Sequence, residues 1–171
     1  MIQYRRDLNQ IIDLTLPAAE IGVAEGYFSA DILSWGVPKL YMVDAWKHLE
    51  VAGDGANSQE WHEKNYNAAI GRTSKYNREI LRGISWEMAA QVPDESLCFI
   101  NIDCDHSYEG VKKDIAAWWP KLVKGGVMAF HDYENNAYGV KQAVKEFASG
   151  IEIHLLPEDK PEDAGAYLVK K

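Results

Sequence analysis

The order of segments in this 171-residue chain predicts an α/β fold. The expected architecture is a mostly parallel seven-stranded sheet with helices on both faces and an antiparallel hairpin at the C-terminus. Three observations carry that expectation. Short apolar runs alternate about five times with stretches of helical periodicity, which is the pattern of strands joined by helical crossovers. The run Ser96–Asp103 (SLCFINID) is nearly all apolar, as in a strand covered on both faces. The last two strand-like runs, Ile151–Leu156 and Ala166–Val169, are joined by a loop rich in Pro, Asp and Glu with no helix, so they should pair antiparallel.

Each element follows from its residues. Leu8, Ile11, Ile12 and Leu16 recur at helical spacing, which predicts an amphipathic helix within residues 1–16, ended by Pro17. Ala18–Val23 reads as a buried strand. Gly26–Trp35 reads as a helix with Phe28, Ile32 and Trp35 on one face, stopped by Gly36 and Pro38. Lys39–Ala45 is the second strand. Trp46–Gln59, with Gly53-Asp54-Gly55, lacks periodicity and is expected to be a lid or binding loop. Trp61–Ile70 is helical, Ile80–Ser85 a weak third strand and Trp86–Gln91 a short helix. After the fourth strand, Tyr108–Trp119 is a helix with Val111, Ile115, Trp118 and Trp119 facing inward. Gly125-Gly126 introduces a fifth strand, Val127–His131, and Tyr138–Ala148 is a helix.

Composition narrows the function classes. The length suits a single domain, residues 1–171, with a substantial core. A net charge of −8 argues against a nucleic-acid or anionic-membrane binder, because both need clustered cations. The basic residues Arg72, Lys75, Arg78 and Arg82 read as a solvated face. So do Lys112, Lys113 and Asp114, and the acidic residues Glu158, Asp159, Glu162 and Asp163 with Lys160 of the last loop. No apolar run is long enough for a signal peptide or a membrane span. Cys98 and Cys104 lie in one predicted strand, about 20 Å apart and beyond disulfide reach, which fits a reducing, cytoplasmic setting.

Parallel sheets bind ligands beyond the carboxyl ends of their strands. Those ends collect polar groups: Gly22–Gly26 after strand one, Asp44, Ala45 and Trp46 after strand two, Ser85, Trp86 and Glu87 after strand three, Asp103, Asp105 and His106 after strand four, and His131, Asp132 and Tyr133 after strand five. The glycine run E-I-G-V-A-E-G (Glu20–Gly26), followed eighteen residues on by Asp44, suits a nucleoside. Glycines admit a ligand close to the backbone, a helix N-terminus offers free N–H groups, and the second carboxylate accepts from ribose hydroxyls. The pattern is not the G-x-G-x-x-G of dinucleotide enzymes.

From Glu20 to Val169 the chain resembles class I S-adenosylmethionine-dependent methyltransferases of Rossmann-like fold. The segments that carry this are AEIGVAEGYFS, YMVDAW and the double motif IDCDHSYEGV … GGVMAFHDY. The double motif is similar to a subgroup of small-molecule enzymes that act mainly on oxygen, some on sugars and natural products. Ala24 stands where the usual loop has its middle glycine. The resemblance implies S-adenosyl-L-methionine as cofactor. Glu20 would meet its ammonium group, Gly22 and Gly26 would let the loop approach its methionine part and ribose, Asp44 would accept from the ribose hydroxyls, and Val23, Ala45 and Trp46 would also contact the cofactor. Ser85 and Trp86 would border the adenine, with Asp103 close by. Asp103, His106, His131 and Asp132 are candidate bases for deprotonating a small-molecule acceptor. Related catechol-type enzymes carry a divalent ion on an Asp after strand four and an Asp-Asn pair after strand five. Asp103 and Asp132 match the first two, Tyr133 replaces the third, and Asp105 or water could substitute. Oxygen ligands would suit Mg, Ca or Mn. A homodimer is plausible. Two other readings stay open: an NAD(P)-dependent oxidoreductase on the same type of sheet, and a non-catalytic binding module.

Overall fold

The computed structural model describes residues 2, 4–49, 58–157 and 164–171. The strands are β1 (Ala18–Ile21), β2 (Leu40–Asp44), β3 (Arg78–Arg82), β4 (Leu97–Ile102), β5 (Leu122–Phe130), β6 (His154–Leu156) and β7 (Gly165–Val169). They form one sheet in the order β3-β2-β1-β4-β5-β7-β6. β1 to β5 are parallel, and β7 runs antiparallel to both β5 and β6. The helices are α1 (Tyr27–Ser34), α2 (Gln59–Thr73), α3 (Ser85–Met88), α4 (Tyr108–Trp118) and α5 (Val140–Phe147). The expected α/β architecture and its terminal hairpin are therefore present.

The period of two along each strand sorts side chains onto two faces. Ala19, Ile21, Ile100, Ile102, Met128 and Phe130 face α3, α4 and α5, where Val111, Ile115, Trp118 and Val144 meet them. Ala18, Leu40, Met42, Phe99 and Val127 face α1 and α2, beneath Ile32, Leu33 and Ala69. All six residues of β4 are buried, because it runs mid-sheet with helices on both sides. Ser107 caps α4 by accepting from the Gly110 amide at 3.1 Å, and Ser58 caps α2 by accepting from Trp61 at 3.2 Å.

Several boundaries differ from expectation, each for a local reason. The N-terminal helix shrinks to a 3-10 turn, Arg5–Gln10, with Leu8 buried and Ile11 exposed. Asp13 holds Thr15 through both the amide, at 3.0 Å, and the hydroxyl, at 2.7 Å, and this turn competes with helix. α2 extends past the expected Trp61–Ile70 at both ends. β3 starts at Arg78 instead of Ile80, paired with Leu40, and Ser85 opens α3. β5 begins at Leu122, so Gly125-Gly126 lies inside the strand rather than before it, with Gly125 at φ +83°. β6 covers only His154–Leu156. Cys104 lies beyond the end of β4. Asp114 is not on a solvated face: it is fully buried. Of the expected lid, residues 50–57 lie outside the described residues, as do 158–163 of the last loop. No helix among the described residues is long and apolar enough to cross a membrane.

The basic residues near α2 make contacts within the chain, while Lys75 and Arg82 remain exposed to solvent. Arg72 donates to the Glu25 carbonyl and lies 3.6 Å over the Tyr27 ring. Arg78 bonds Thr73 and the Ile70 carbonyl. Arg82 pairs with Glu63 and donates to the Trp46 carbonyl at 2.9 Å.

Candidate active site

Strand order reverses between β1 and β4, so the loops after these strands diverge and open a crevice. Asp44, at the end of β2, organises one side of it. Its Oδ2 accepts the amides of Val23 and Ala24, both at 2.9 Å, and its Oδ1 accepts the Trp46 amide at 2.7 Å. The Trp46 indole N–H returns to the Ala24 carbonyl at 2.9 Å. Two loops are thus tied together through one carboxylate, which keeps about one of its roughly four acceptor positions open.

The tie holds residues in uncommon conformations. Ala24 has φ +48° and Trp46 φ +40°, and Asp132 across the crevice has φ +53°. Such left-handed non-glycine residues cluster at functional sites. Because Ala24 carries a Cβ where glycine would be relaxed, Ala24→Gly should raise stability by about 1 kcal/mol, read as a shift in the urea midpoint.

Opposite Asp44, the ends of β4 and β5 bring four side chains together. One ligand-type atom each from Asp103, His106, His131 and Asp132 lies within 4.8 Å of the others. His106 Nε2 is 3.4 Å from Asp103 Oδ1 and 3.2 Å from Asp132 Oδ2. His131 Nδ1 is 3.1 Å from Asp132 Oδ2 and 3.5 Å from Asp103 Oδ1, within ion-pair range but without hydrogen-bond alignment. Burial opposes charge on His106, yet its bonds to Asp103 and Asp132 prevail and hold its pKa up at about 9. Burial likewise opposes charge on His131, and Asp132 and Asp103 overcome it, raising its pKa. Both carboxyls feel the converse: despite desolvation, the histidines hold Asp103 and Asp132 below the ordinary range. The His106 ring stacks on Tyr138 at 4.6 Å.

Between the two sides lies a cavity of about 460 Å³, within the range of small-molecule sites. Gly22, Asp44, Ala45, Trp46, Ser85, Trp86, Asp103 and His106 all line it. Glu20, Val23, Gly26, His131 and Asp132 do not belong to that lining. Glu20 lies beneath α1, where the Ser29 hydroxyl donates to it, and burial pushes its pKa up to about 8. Gly22 has φ +89°, and a Cβ there would sit far inside contact distance of the Asp103 carbonyl. Gly26 lets α1 approach Ala69 of α2. Tyr133 is buried beside Lys141, outside the cluster of four. The Asp105 carboxylate caps the Ser107 amide at 2.9 Å and packs on Gly110, so it does not supply the missing ligand either.

Three contributions were not anticipated from the residues. Asp114 reaches across from α4 to accept from the Ser85 hydroxyl and, at 2.9 Å, from the Cys104 thiol. It thereby braces the loops after β3 and β4, and burial pushes its carboxyl up to about 6. Its place in the inward Val111–Ile115–Trp118 stripe was the available signal, since position 114 shares a face with 111 and 118. Asn65 of α2 lines the cavity with its Nδ2 buried and, among the described residues, without a hydrogen-bond partner. Arg5, distant in sequence, donates to Asp103 Oδ2 at 3.1 Å.

Residues 19–133 match a family described as a methyltransferase domain. The chain belongs to that family. No curated protein matches it in sequence. Among solved structures, the calicheamicin methyltransferase CalS11 is 18% identical with a TM-score of 0.72, covering 96% of this chain and 76% of its own. The O-methyltransferase NovP is 16% identical with a TM-score of 0.67, covering 97% of this chain and 77% of its own. An rRNA methylase from Streptococcus thermophilus is 16% identical with a TM-score of 0.68, covering 96% and 93%. At such identities these likenesses bear on the fold, which is the Rossmann-like fold of methyltransferases.

Proposed function

We propose that this protein transfers the methyl group of S-adenosyl-L-methionine to a small-molecule acceptor, at oxygen. The observation that carries the reading is one cavity with the Asp44-braced glycine loop on one side and the Asp103–His106 cluster on the other. The residues fit the cofactor chemically. Carboxylates at positions 44, 103 and 105 give the lining an acidic character suited to a sulfonium cation, and the Asn65 Nδ2, unbonded among the described residues, offers a donor. The open acceptor position of Asp44 takes a ribose hydroxyl. Trp86 and Ser85 flank the base, and Gly22 admits the methionine portion beside Glu20.

When bound, the cofactor supplies an activated methyl group, so the chain has to align the acceptor and receive its proton. His106 is the base. In the free protein its two carboxylate partners keep it protonated at neutral pH. A positive charge bound beside Asp103 and Asp132 would compete for those carboxylates and lower its proton affinity. Asp103 and Asp132 would hold a divalent ion, with His131 Nδ1 the third donor in place of the residue expected at Tyr133. A mixed nitrogen and oxygen set favours Mn over Mg or Ca. The small acceptor is preferred over RNA because Arg72 and Arg78 are bonded to backbone carbonyls of the chain, Arg82 is paired with Glu63, and the net charge is −8. CalS11, a TDP-rhamnose 3'-O-methyltransferase, shares the fold. The two thiols suit a reducing, cytoplasmic setting.

Calorimetric titration tests this. S-adenosylhomocysteine should bind and NADH should not; the reverse would favour an oxidoreductase, and heat from neither a non-catalytic module. Asp44→Ala should weaken S-adenosylhomocysteine binding by about 1–3 kcal/mol. An unchanged affinity would remove Asp44 from the nucleoside site. Manganese added to chelator-treated protein should give saturable heat that Asp132→Asn abolishes.

A further inference from the structure

The carboxylate of Asp103 serves two neighbourhoods, one oxygen to each. Its Oδ1 lies 3.4 Å from His106 Nε2 and 3.5 Å from His131 Nδ1, inside the cluster of four. Its Oδ2 accepts from the Arg5 guanidinium at 3.1 Å. Arg5 opens the 3-10 turn Arg5–Gln10, which Leu8 anchors in the core, and its guanidinium carbon lies 3.9 Å over the Phe28 ring of α1. Turn and ring together hold the guanidinium against the cluster, unlike a surface side chain that swings freely. Arg5 and Asp103 side chains are 20% and 24% exposed, so solvent screens the pair only in part. Among the described residues, Arg5 is the one lysine or arginine paired with either carboxylate of the cluster. Its charge reaches beyond Asp103 to His131, where it opposes protonation. A guanidinium stays positive at every pH the fold meets. A permanent cation therefore stands one carboxylate away from the place where Asp103, Asp132 and His131 would hold an ion.

We infer that Arg5 sets the cation affinity of the Asp103–His131–Asp132 cluster and biases it toward ions of low charge. This rests on the divalent-ion reading above. Two effects follow from the geometry. The guanidinium repels an arriving ion in proportion to the charge of that ion. It also occupies Oδ2, so Asp103 offers the ion Oδ1 alone. Both effects weaken binding, and the repulsion grows from a divalent to a trivalent ion. A purely structural role would act in the other direction: Asp103 would lose its aim when Arg5 is removed, and every ion would bind more weakly.

The test titrates manganese(II) and terbium(III) calorimetrically into chelator-treated wild type, Arg5→Gln and Arg5→Lys. Arg5→Gln should bind manganese about ten-fold more tightly than wild type and terbium about thirty-fold more tightly, because the logarithm of the effect scales with ionic charge. Arg5→Lys keeps the charge and should stay within about three-fold of wild type for both ions. Adding Asp132→Asn to Arg5→Gln should abolish the heat; heat that persists would place the ion elsewhere and overturn the assignment. An unchanged or weaker manganese affinity in Arg5→Gln would overturn it as well, and so would an equal gain for both ions. Manganese uptake by Arg5→Gln with none by wild type would support it, as complete suppression by the guanidinium. If neither chain takes up manganese, the divalent-ion reading fails and this inference with it, an outcome distinct from binding that ignores Arg5. Thermal melts identify a folding defect. Should Arg5→Gln not fold, Arg5→Met, which can cover Phe28 without a charge, carries the same expectations.

Discussion

Replacing Gly22 with alanine should destabilise the protein by about 2–5 kcal/mol, for the addition of a single methyl group. Two costs combine. At φ +89° an L-residue is strained, at about 1–2 kcal/mol. The new Cβ also meets backbone, the Asp103 carbonyl, which cannot rotate away as a side chain would, and forced overpacking typically adds about 1–3 kcal/mol. Relief requires β1 and β4 to part at the point where the Asp103 amide donates to the Ile21 carbonyl at 2.7 Å. Urea denaturation measures the effect. A loss below about 0.5 kcal/mol would contradict the close approach of the two loops. Gly36→Ala is the control, since φ is similarly positive at +96° and no atom of the described residues lies within 4 Å of its added Cβ. The difference between the two isolates the collision.

The second large effect is a fall in stability with rising pH that originates at Glu20. Its folded pKa of about 8 exceeds the ordinary value of 4.5, because burial disfavours the charge more than the Ser29 hydroxyl and Arg5 favour it. Between these two values the folded chain holds a proton that the unfolded chain has released, so linkage makes stability decrease as pH rises. The contribution is complete below pH 4.5 and is lost as pH climbs toward 8. Its size is on the order of 5 kcal/mol. Glu20→Gln keeps the shape and the Ser29 bond but cannot ionise, so the difference in stability between wild type and variant should vary across pH 4.5–8 with this sign. A constant difference would show that Glu20 titrates normally. If an ammonium docks beside Glu20, binding should also expel its proton near pH 7. Calorimetry in two buffers of different ionisation heat should then show more proton release for the wild type than for Glu20→Gln.

The parts of this molecule that were legible in the sequence are those where one physical signal dominates. β4 announces itself because a strand covered on both faces tolerates almost no polar residue. Asp44, Asp103, His106 and Asp132 stand out because parallel strands deliver their carboxyl ends to one edge. The less legible parts depend on competition or on distance. Residues 1–16 have a helical apolar pattern, but Asp13 and Thr15 offer the backbone another partner. β3 slid two residues because its limits are set by pairing with β2, not by its own composition. Asp114 was misread since its neighbours Lys112 and Lys113 dominate a local view of charge, although position 114 falls on the inward stripe. Arg5 could not be placed at all from its surroundings, because its partner is 98 residues away. The histidines near Asp132 were expected as bases, and their gathering with both carboxylates into one tetrad appears only when β4 and β5 are side by side.

The triple grip of Asp44 on the amides of Val23, Ala24 and Trp46 has a kinetic corollary. Loops that are already fastened have little disorder left to surrender, so capture of the cofactor should proceed without a slow rearrangement of this wall. Cutting the fastening should then shift the burden from departure to arrival, turning a single-step encounter into one that waits for the wall to assemble.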